Sequence, residues 1–216
     1  MEETLRVIEI FTSIQGETSH AGLPCTFVRL AGCNLHCAYC DTRYAVTEAG
    51  TEMLLGEAVR QAHKPGRRLV CITGGEPLLQ AGAASLARQL IALNHTVLVE
   101  TNGTLDIRVL PPEAARIMDV KCPGSGEAGK TLQRNLSALR PGDEVKFVLC
   151  DRRDFEWAQE FVAHAGLAGR CHLLFAPAHP VLAARELAGW ILNSGLDVRL
   201  EIQLHKVLWP EKQRGA

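Results

Sequence analysis

The chain has 216 residues, of which 47% are hydrophobic and 22% are charged, and its formal net charge is -1. This length suffices for one domain with a substantial core, and the balanced charge argues against a nucleic-acid partner. No apolar stretch is long enough to span a bilayer, so we expect no membrane association. Residues 1–4 lack the basic and apolar regions of a signal peptide, which predicts a cytoplasmic protein with reduced thiols.

Short β-type runs alternate with amphipathic segments along the chain. The sequence predicts strands at residues 5–11, 25–31, 69–73, 96–100, 116–120, 144–150, 171–175 and 198–204. The spacing of apolar residues predicts helices at residues 52–63, 78–94, 130–140, 153–165 and 181–195. This alternation indicates an α/β fold in which right-handed crossovers wind parallel strands into an open or closed barrel. We find no repeat or linker, so we expect a single domain over residues 1–216.

Polar residues cluster before and within the first core strand. Gln15 and Glu17 flank Gly16, and together they offer donors and acceptors to the edge of a heterocycle, although a simple turn would use the same residues. Arg29 lies inside an apolar run, where an unpaired charge is costly. Its guanidinium suits bidentate binding, so we expect it to bind a substrate carboxylate, and the alternative is a structural pair with Glu17.

Three cysteines follow that strand in a C-x-x-x-C-x-x-C pattern, namely Cys33, Cys37 and Cys40. An iron–sulfur cluster that only carries electrons normally has four cysteine ligands. Three thiolates therefore leave one iron open to a reactant, as open metal sites do in catalysis. A zinc site with His36 or Asp41 as fourth ligand fits less well, because structural zinc usually takes two spaced pairs of ligands.

The remaining cysteines have a different character. Cys25, Cys71, Cys150 and Cys171 lie in or beside apolar runs, and we interpret them as small buried hydrophobic residues instead of disulfide partners. Cys122 lies in a loop rich in glycine and proline, so we expect its side chain to face a cavity.

Further polar residues follow the later strands, at the sheet edge where ligands gather in such folds. The paired glycines at 74 and 75 either form an ordinary turn or let a ligand approach the backbone. Glu100 is expected to point into the barrel mouth, where it can bond a ribose or substrate. Lys121 either faces solvent or meets an anionic ligand group. His205 either reaches the active site or has a role in the core or at the surface.

Together these motifs resemble those of the radical S-adenosylmethionine superfamily and, within it, the 7-carboxy-7-deazaguanine synthases. The similarity is concentrated in residues 13–17, 27–35, 39–42 and 73–78, and it continues more loosely through 100–103, 119–123 and 205–210. It implies a shortened, partial TIM-like (β/α)6 barrel that acts as a carbon–nitrogen lyase in queuosine or 7-deazapurine biosynthesis. The implied reaction is the radical ring contraction of 6-carboxy-5,6,7,8-tetrahydropterin to 7-carboxy-7-deazaguanine, with release of ammonia.

The same resemblance implies cofactors, partners and residue roles. A [4Fe–4S] cluster, S-adenosylmethionine and Mg²⁺ are expected, as are a homodimer and a reducing electron donor such as flavodoxin or ferredoxin. The cluster is assigned to Cys33, Cys37 and Cys40, and Mg²⁺ to Thr42. S-adenosylmethionine is assigned to Tyr39, Cys40, Asp41, Gly75, Lys121, Cys122 and Pro123. The pterin is assigned to Ile14, Gln15, Gly16, Glu17, Arg29, Thr73, Glu100, His205 and Pro210.

Two other interpretations stay open from the sequence. A glycyl-radical activating enzyme has the same cysteine spacing but acts on a protein loop, and an iron–sulfur electron carrier would cleave no S-adenosylmethionine. Two segments are hard to assign: residues 175–179, which could add substrate contacts, and the six residues that follow Pro210.

Overall fold

All strands of the structure join one mixed sheet in this computed structural model, which describes residues 2–212 and 214–215. The strands in these residues are β1 (Thr4–Ile14), β2 (Pro24–Leu30), β3 (Thr51–Leu54), β4 (Leu69–Gly74), β5 (Thr96–Thr101), β6 (Ala115–Asp119), β7 (Glu144–Leu149), β8 (His172–Pro177) and β9 (Arg199–Leu200). Their order in the sheet is β3-β1-β2-β4-β5-β6-β7-β8-β9.

Helices connect most of the strands. They are α1 (Arg43–Thr47), α2 (Leu55–His63), α3 (Gly82–Ala92), α4 (Gln133–Ala138), α5 (Arg152–His164), α6 (Ala184–Leu192) and α7 (Leu204–Leu208). The longer ones are amphipathic and bury one face against the sheet, as apolar residues at helical spacing predict. No helix in the described part of the chain combines the length and apolar character needed to cross a membrane.

The strand directions confirm the predicted partial barrel. β1 pairs antiparallel with β2 and β3, whereas every pair from β2–β4 through to β8–β9 is parallel. A regular (β/α)6 repeat would have an α-helix between β5 and β6. Here a short 3₁₀ turn at Ile107–Val109 takes its place. Pro111 and Pro112 follow that turn, and proline in a helix interior removes a hydrogen bond and clashes with the preceding turn.

Alternation along the strands divides the buried residues between two faces of the sheet. Val28 and Leu30 pack on the helix side, whereas Cys25 and Phe27 point to the barrel interior. The interior cluster lies at the amino ends of the strands and comprises Cys25, Phe27, Leu69, Cys71, Leu98 and Ile117. This apolar cluster closes the floor of the barrel, so space for a ligand is left at the carboxyl ends.

The loop that follows β1 bridges the two sides of the open barrel. The Thr18 backbone N–H donates to Glu201 Oε1 at 2.5 Å, next to β9, and the Ser19 N–H donates to Glu144 on β7 at 3.1 Å. The Leu204 N–H donates to the Gly16 carbonyl at 3.0 Å. Because β1 and β9 lie far apart in the sheet, these bonds join segments that the strand ladder alone leaves separate.

Most predicted elements are confirmed, with small shifts at their ends, and four regions differ. Residues 52–54, predicted to begin a helix, lie in β3, and α2 starts at Leu55. The predicted strand at 198–204 shrinks to two residues and is followed by α7. The helix predicted at 130–140 is limited to α4, and α1 was not predicted.

Candidate active site

A cavity of about 550 Å³ opens at the carboxyl ends of the parallel strands. Seventeen of the predicted site residues line it: Ile14, Gln15, Gly16, Glu17, Arg29, Cys33, Cys37, Tyr39, Cys40, Asp41, Thr42, Thr73, Gly75, Glu100, Lys121, His205 and Pro210. The topology explains this convergence, because parallel strands bring their carboxyl ends to the same edge. The sequence prediction of one shared loop face is therefore matched by a single cavity.

Two predicted residues do not line this cavity. The Cys122 side chain is completely buried in the core beneath α4, α5 and α6, so the expectation that it faces a cavity is wrong. Burial raises the pKa of this thiol well above its ordinary value. Pro123 starts a 3₁₀ turn and is exposed outside the cavity. The loop turns the Cys122 side chain into the core directly after Lys121, whose side chain does reach the cavity.

The cysteine loop is fixed by hydrogen bonds that its backbone donates to a neighbouring loop. The Ala38 N–H donates to the Ser125 carbonyl at 2.9 Å, and the His36 N–H donates to Glu127 Oε1 at 2.7 Å. These bonds leave the three cysteines free and partly buried at the cavity wall. Burial raises the pKa of Cys37 to about 11, although the nearby Lys121 ammonium favours the thiolate.

The three thiols fit a cluster better than a single ion. Within residues 2–212 and 214–215, no three His, Cys, Asp or Glu side chains converge closely enough to hold one metal ion. This arrangement disfavours zinc bound by the three cysteines with His36 or Asp41. Cysteine thiolates are the usual ligands of iron–sulfur clusters, in which they bind different irons instead of converging on one. The backbone around the loop leaves the three thiols facing the same open volume.

Glycine is required where the loop after β4 meets the cysteine loop. The Glu76 N–H donates to the Gly32 carbonyl at 2.8 Å. A Cβ added at Gly75 would lie 2.2 Å from that carbonyl oxygen and 2.7 Å from Cys33 Cβ. The missing side chain thus allows the two backbones to touch, which supports the close-approach interpretation of the glycine pair.

We expect Gly75→Ala to force these loops apart. The added methyl group meets backbone atoms that cannot rotate away, so the free energy of unfolding should fall by about 1–3 kcal/mol, with loss of S-adenosylmethionine binding. Urea denaturation and calorimetric titration of the reconstituted protein measure both effects. Gly142→Ala is the matched control, because a Cβ there has no neighbour within 4 Å. Normal stability and cofactor affinity in Gly75→Ala would contradict this account.

Arg29 and Glu100 form part of a polar layer above the apolar floor. Arg29 Nε donates to Glu9 Oε1 at 2.8 Å, and the guanidinium lies over the rings of Phe11 and Tyr44. The alternative pairing of Arg29 with Glu17 is therefore wrong, because β1 places Glu9 opposite Arg29 in the antiparallel register. Thr73 Oγ1 donates to Glu100 Oε2 at 2.8 Å, which joins two predicted residues from adjacent strands.

Lys146 is the main cavity residue that the sequence interpretation missed. Its Nζ lies 2.5 Å from Glu17 Oε2 and 3.9 Å from Asp119 Oδ2. Burial would lower the pKa of this ammonium, but Glu17, Glu201 and Asp119 raise it well above its ordinary value. The sequence does carry a sign of it, because Lys146 is a charged residue inside the apolar run of β7, as Arg29 is inside β2.

The pKa values of two carboxyl groups near Lys146 shift in opposite directions. Burial alone would raise the pKa of Glu17, but the ion pair with Lys146 and a hydrogen bond from Gln203 lower it to about 2. Burial raises the pKa of Glu201 to about 8 despite the attraction of Lys146. Lys146 therefore favours the carboxylate form of Glu17, whereas burial next to β9 favours the protonated form of Glu201.

The C-terminal segment covers one side of the cavity. Lys206 Nζ lies 2.8 Å from Asp41 Oδ2, and Gln203 Nε2 donates to Glu17 Oε1 at 2.7 Å. His205 packs against Gly16, where an added Cβ would lie 2.6 Å from the ring, so the core or surface alternative for His205 is wrong. Lys212 and Gly215 also line the cavity, together with His179 from the segment at 175–179. Two of the described residues after Pro210 thus lie at the site.

Comparison with known proteins agrees with this geometry. Residues 28–120 match the model of the radical SAM superfamily. The chain is 41% identical to a 7-carboxy-7-deazaguanine synthase of Koribacter versatilis, with 98% of this chain and all of that protein covered. It is 42% identical to the synthase of Chlorobaculum tepidum, covering 100% of this chain and 99% of the relative.

Solved structures show the same fold at lower sequence similarity. QueE from Escherichia coli superposes with a TM-score of 0.76 at 23% identity, over 93% of this chain and 94% of that one. Streptococcus suis SuiB bound to S-adenosylmethionine superposes with a TM-score of 0.53 at 13% identity, over 79% of this chain and 44% of that chain. On the sequence matches, this chain belongs to the 7-carboxy-7-deazaguanine synthase family of the radical SAM superfamily.

Proposed function

We propose that this chain converts 6-carboxy-5,6,7,8-tetrahydropterin to 7-carboxy-7-deazaguanine by radical ring contraction, with release of ammonia. The observation that carries the proposal is the single cavity shared by the cysteine loop, Gly75 and the polar layer around Arg29 and Lys146. Family membership favours this small-molecule reaction over activation of a glycyl-radical protein or simple electron transfer.

The cysteine loop and its neighbours hold the cofactors in this proposal. Cys33, Cys37 and Cys40 would hold a [4Fe–4S] cluster, which would supply the electron for reductive cleavage of S-adenosylmethionine. Tyr39, Asp41, Gly75 and Lys121 hold that cofactor beside the cluster. The Thr42 hydroxyl, which donates to Asp41 Oδ1 at 2.9 Å, would be one oxygen ligand for Mg²⁺, and substrate and water would have to supply the others.

The polar layer binds and orients the pterin. Gln15 is almost completely buried, and among the residues that the structure describes its Nε2 has no hydrogen-bond partner, while its Oε1 accepts the Glu17 N–H at 3.1 Å. A buried donor without a partner is costly, and an acceptor on the substrate ring relieves that cost. Glu17 and Lys146 then present an acceptor and a donor to the same ring edge, and the C-terminal segment excludes water.

Arg29 binds the substrate carboxylate. Its Nε is used by Glu9, and the side chain lines the cavity, so the terminal nitrogens are available to a ligand. Arg29→Ala should weaken pterin binding by about 1.5–3 kcal/mol, the usual contribution of a hydrogen bond to a charged group. Cleavage of S-adenosylmethionine without substrate should persist, as measured by 5′-deoxyadenosine release. Arg108→Ala, at an exposed ion pair, is the control, and unchanged pterin affinity in Arg29→Ala would refute the carboxylate role.

The activity itself is tested with anaerobically reconstituted, reduced protein. S-adenosylmethionine and the carboxypterin are added, and the products are identified by mass. The proposal expects 5′-deoxyadenosine and a 7-carboxy-7-deazapurine. If protein with an intact cluster forms 5′-deoxyadenosine but no deazapurine, the proposed substrate is wrong. If it forms neither product, the proposed radical chemistry is wrong.

The proposal extends to organisation and partners. Residues 1–216 act as one domain, supported by a single sheet whose strands lie between Thr4 and Leu200, although Met1, Gln213 and Ala216 lie outside the described residues. The protein works in the cytoplasm as a homodimer, takes electrons from a flavodoxin or ferredoxin, and does not bind nucleic acid, which the net charge of -1 supports. Light scattering in solution tests the dimer.

A further inference from the structure

The amide of Asn102 lies beside one of the three cluster cysteines. Asn102 follows β5 directly, is 7% exposed and lines the cavity. Its Nδ2 donates to Asn34 Oδ1 at 2.9 Å and lies 3.9 Å from Cys33 Sγ. The Cys33 sulfur therefore has an N–H donor next to it from a strand that carries no cysteine of the triad.

The orientation of this amide is fixed by its other end. Asn102 Oδ1 accepts the Thr104 backbone N–H at 3.0 Å and the Thr104 hydroxyl at 2.7 Å. A flipped amide would bring its N–H groups against both of these donors, so Nδ2 has to face Asn34 and Cys33. Asn34 Nδ2 in turn donates to Thr104 Oγ1 at 2.8 Å, which closes the ring of contacts.

The backbone of Asn102 is also anchored. The completely buried Glu76 accepts the Asn102 N–H at 2.6 Å, the Thr101 hydroxyl at 2.9 Å and the Leu78 N–H at 2.9 Å. Glu76 belongs to the loop that touches the cysteine loop through Gly32. The same carboxyl group thus links the end of β5 to the wall that carries Cys33.

We propose that Asn102 is a positioning residue that donates a hydrogen bond to the Cys33 thiolate and raises the reduction potential of the cluster. Hydrogen bonds to the sulfurs are one of the factors that set such potentials, because they stabilise the more negative, reduced state. The inference rests on the proposed function only in requiring that Cys33 holds the cluster.

The test is a potentiometric titration of the reconstituted cluster without substrate, in which electron paramagnetic resonance monitors the reduced cluster. Asn102→Ala removes the donor, so its midpoint potential should shift to more negative values than that of the wild type. Asn102→Asp should shift it further, because a carboxylate adds negative charge at the same place. Asn94→Asp is the control: it adds the same charge at the exposed amino end of β5, in a left-handed turn that aspartate tolerates.

The potential distinguishes this role from a structural one. Iron content and melting temperature are measured for each variant, and a negative shift at normal iron content supports the proposal. An unchanged potential in both Asn102 variants, at normal iron content, overturns it. Should Asn102→Ala not load iron, the comparison rests on Asn102→Asp, which keeps the size and the acceptor for Thr104. Absence of a cluster in the wild type would instead reject the proposed function.

Discussion

Cys37→Ser should fold normally but fail to hold a [4Fe–4S] cluster, and 5′-deoxyadenosine formation should fall below detection. The loop offers three cysteines at the cavity, so the loss of one leaves two ligands for a cluster that needs at least three. Folding should survive, because the loop is held by backbone bonds of His36 and Ala38 and not by the thiol. Iron and sulfide analysis, with product detection by mass, measures both outcomes.

Cys171→Ser is the matched control for this variant. Cys171 is also a free, half-buried thiol, but it precedes β8 at the opposite edge of the sheet and does not line the cavity. It should keep full iron content and full 5′-deoxyadenosine formation. If Cys37→Ser retained a normal cluster and activity, Cys37 would not be a ligand and the cysteine triad would need another explanation.

The parts of the site that could be predicted from sequence are those encoded by short segments. The cysteine loop, the glycine pair and the loops after the strands are local patterns, and the parallel arrangement brings them to one edge. Glu9 could not be identified as the partner of Arg29, because that contact depends on the register of β1 against β2. Likewise, residues 52–54 were predicted as helix from local spacing, but they form part of β3 because they pair with the edge of β1.

The structure of the C-terminal segment also could not be predicted from its local sequence. Residues 202–208 are rich in apolar residues and were partly predicted as strand, yet residues 204–208 form α7. The helix is held by contacts distant in sequence, namely the Leu204 N–H to Gly16 and Lys206 to Asp41. Tertiary contacts of this kind override local propensity, and no short window of sequence contains them.

Lys146→Met should reduce the free energy of unfolding by about 3–5 kcal/mol, because removing one partner of a buried ion pair leaves the other charge without compensation. Lys146 and Glu17 are both mostly shielded from solvent and lie 2.5 Å apart. Urea denaturation at neutral pH measures the change. The control Lys64→Met replaces an exposed lysine after α2, and its effect should stay within about 0.5 kcal/mol.

The pH dependence of the free energy of unfolding tests whether Glu17 is the residue whose charge is left uncompensated in Lys146→Met. Its pKa is lowered to about 2 from an ordinary value of 4.5, so the stability it contributes is complete above 4.5 and is lost as pH falls towards 2. The pKa of Lys146 lies well above 10.5, so its contribution is complete below that value. The difference between wild type and Lys146→Met should therefore be largest between pH 4.5 and 10.5 and shrink in acid.

The double variant Glu17→Gln/Lys146→Met tests the pair itself. With both charges removed, the remaining neighbours keep their own compensation: Asp119 has Lys121 at 2.8 Å, and burial raises the pKa of Glu201, which favours its neutral form. The double variant should thus be more stable than Lys146→Met alone, because replacing both partners of a buried pair is often close to neutral. A double variant as unstable as the single one would show that Lys146 stabilises the fold through packing or another carboxylate, and not through Glu17.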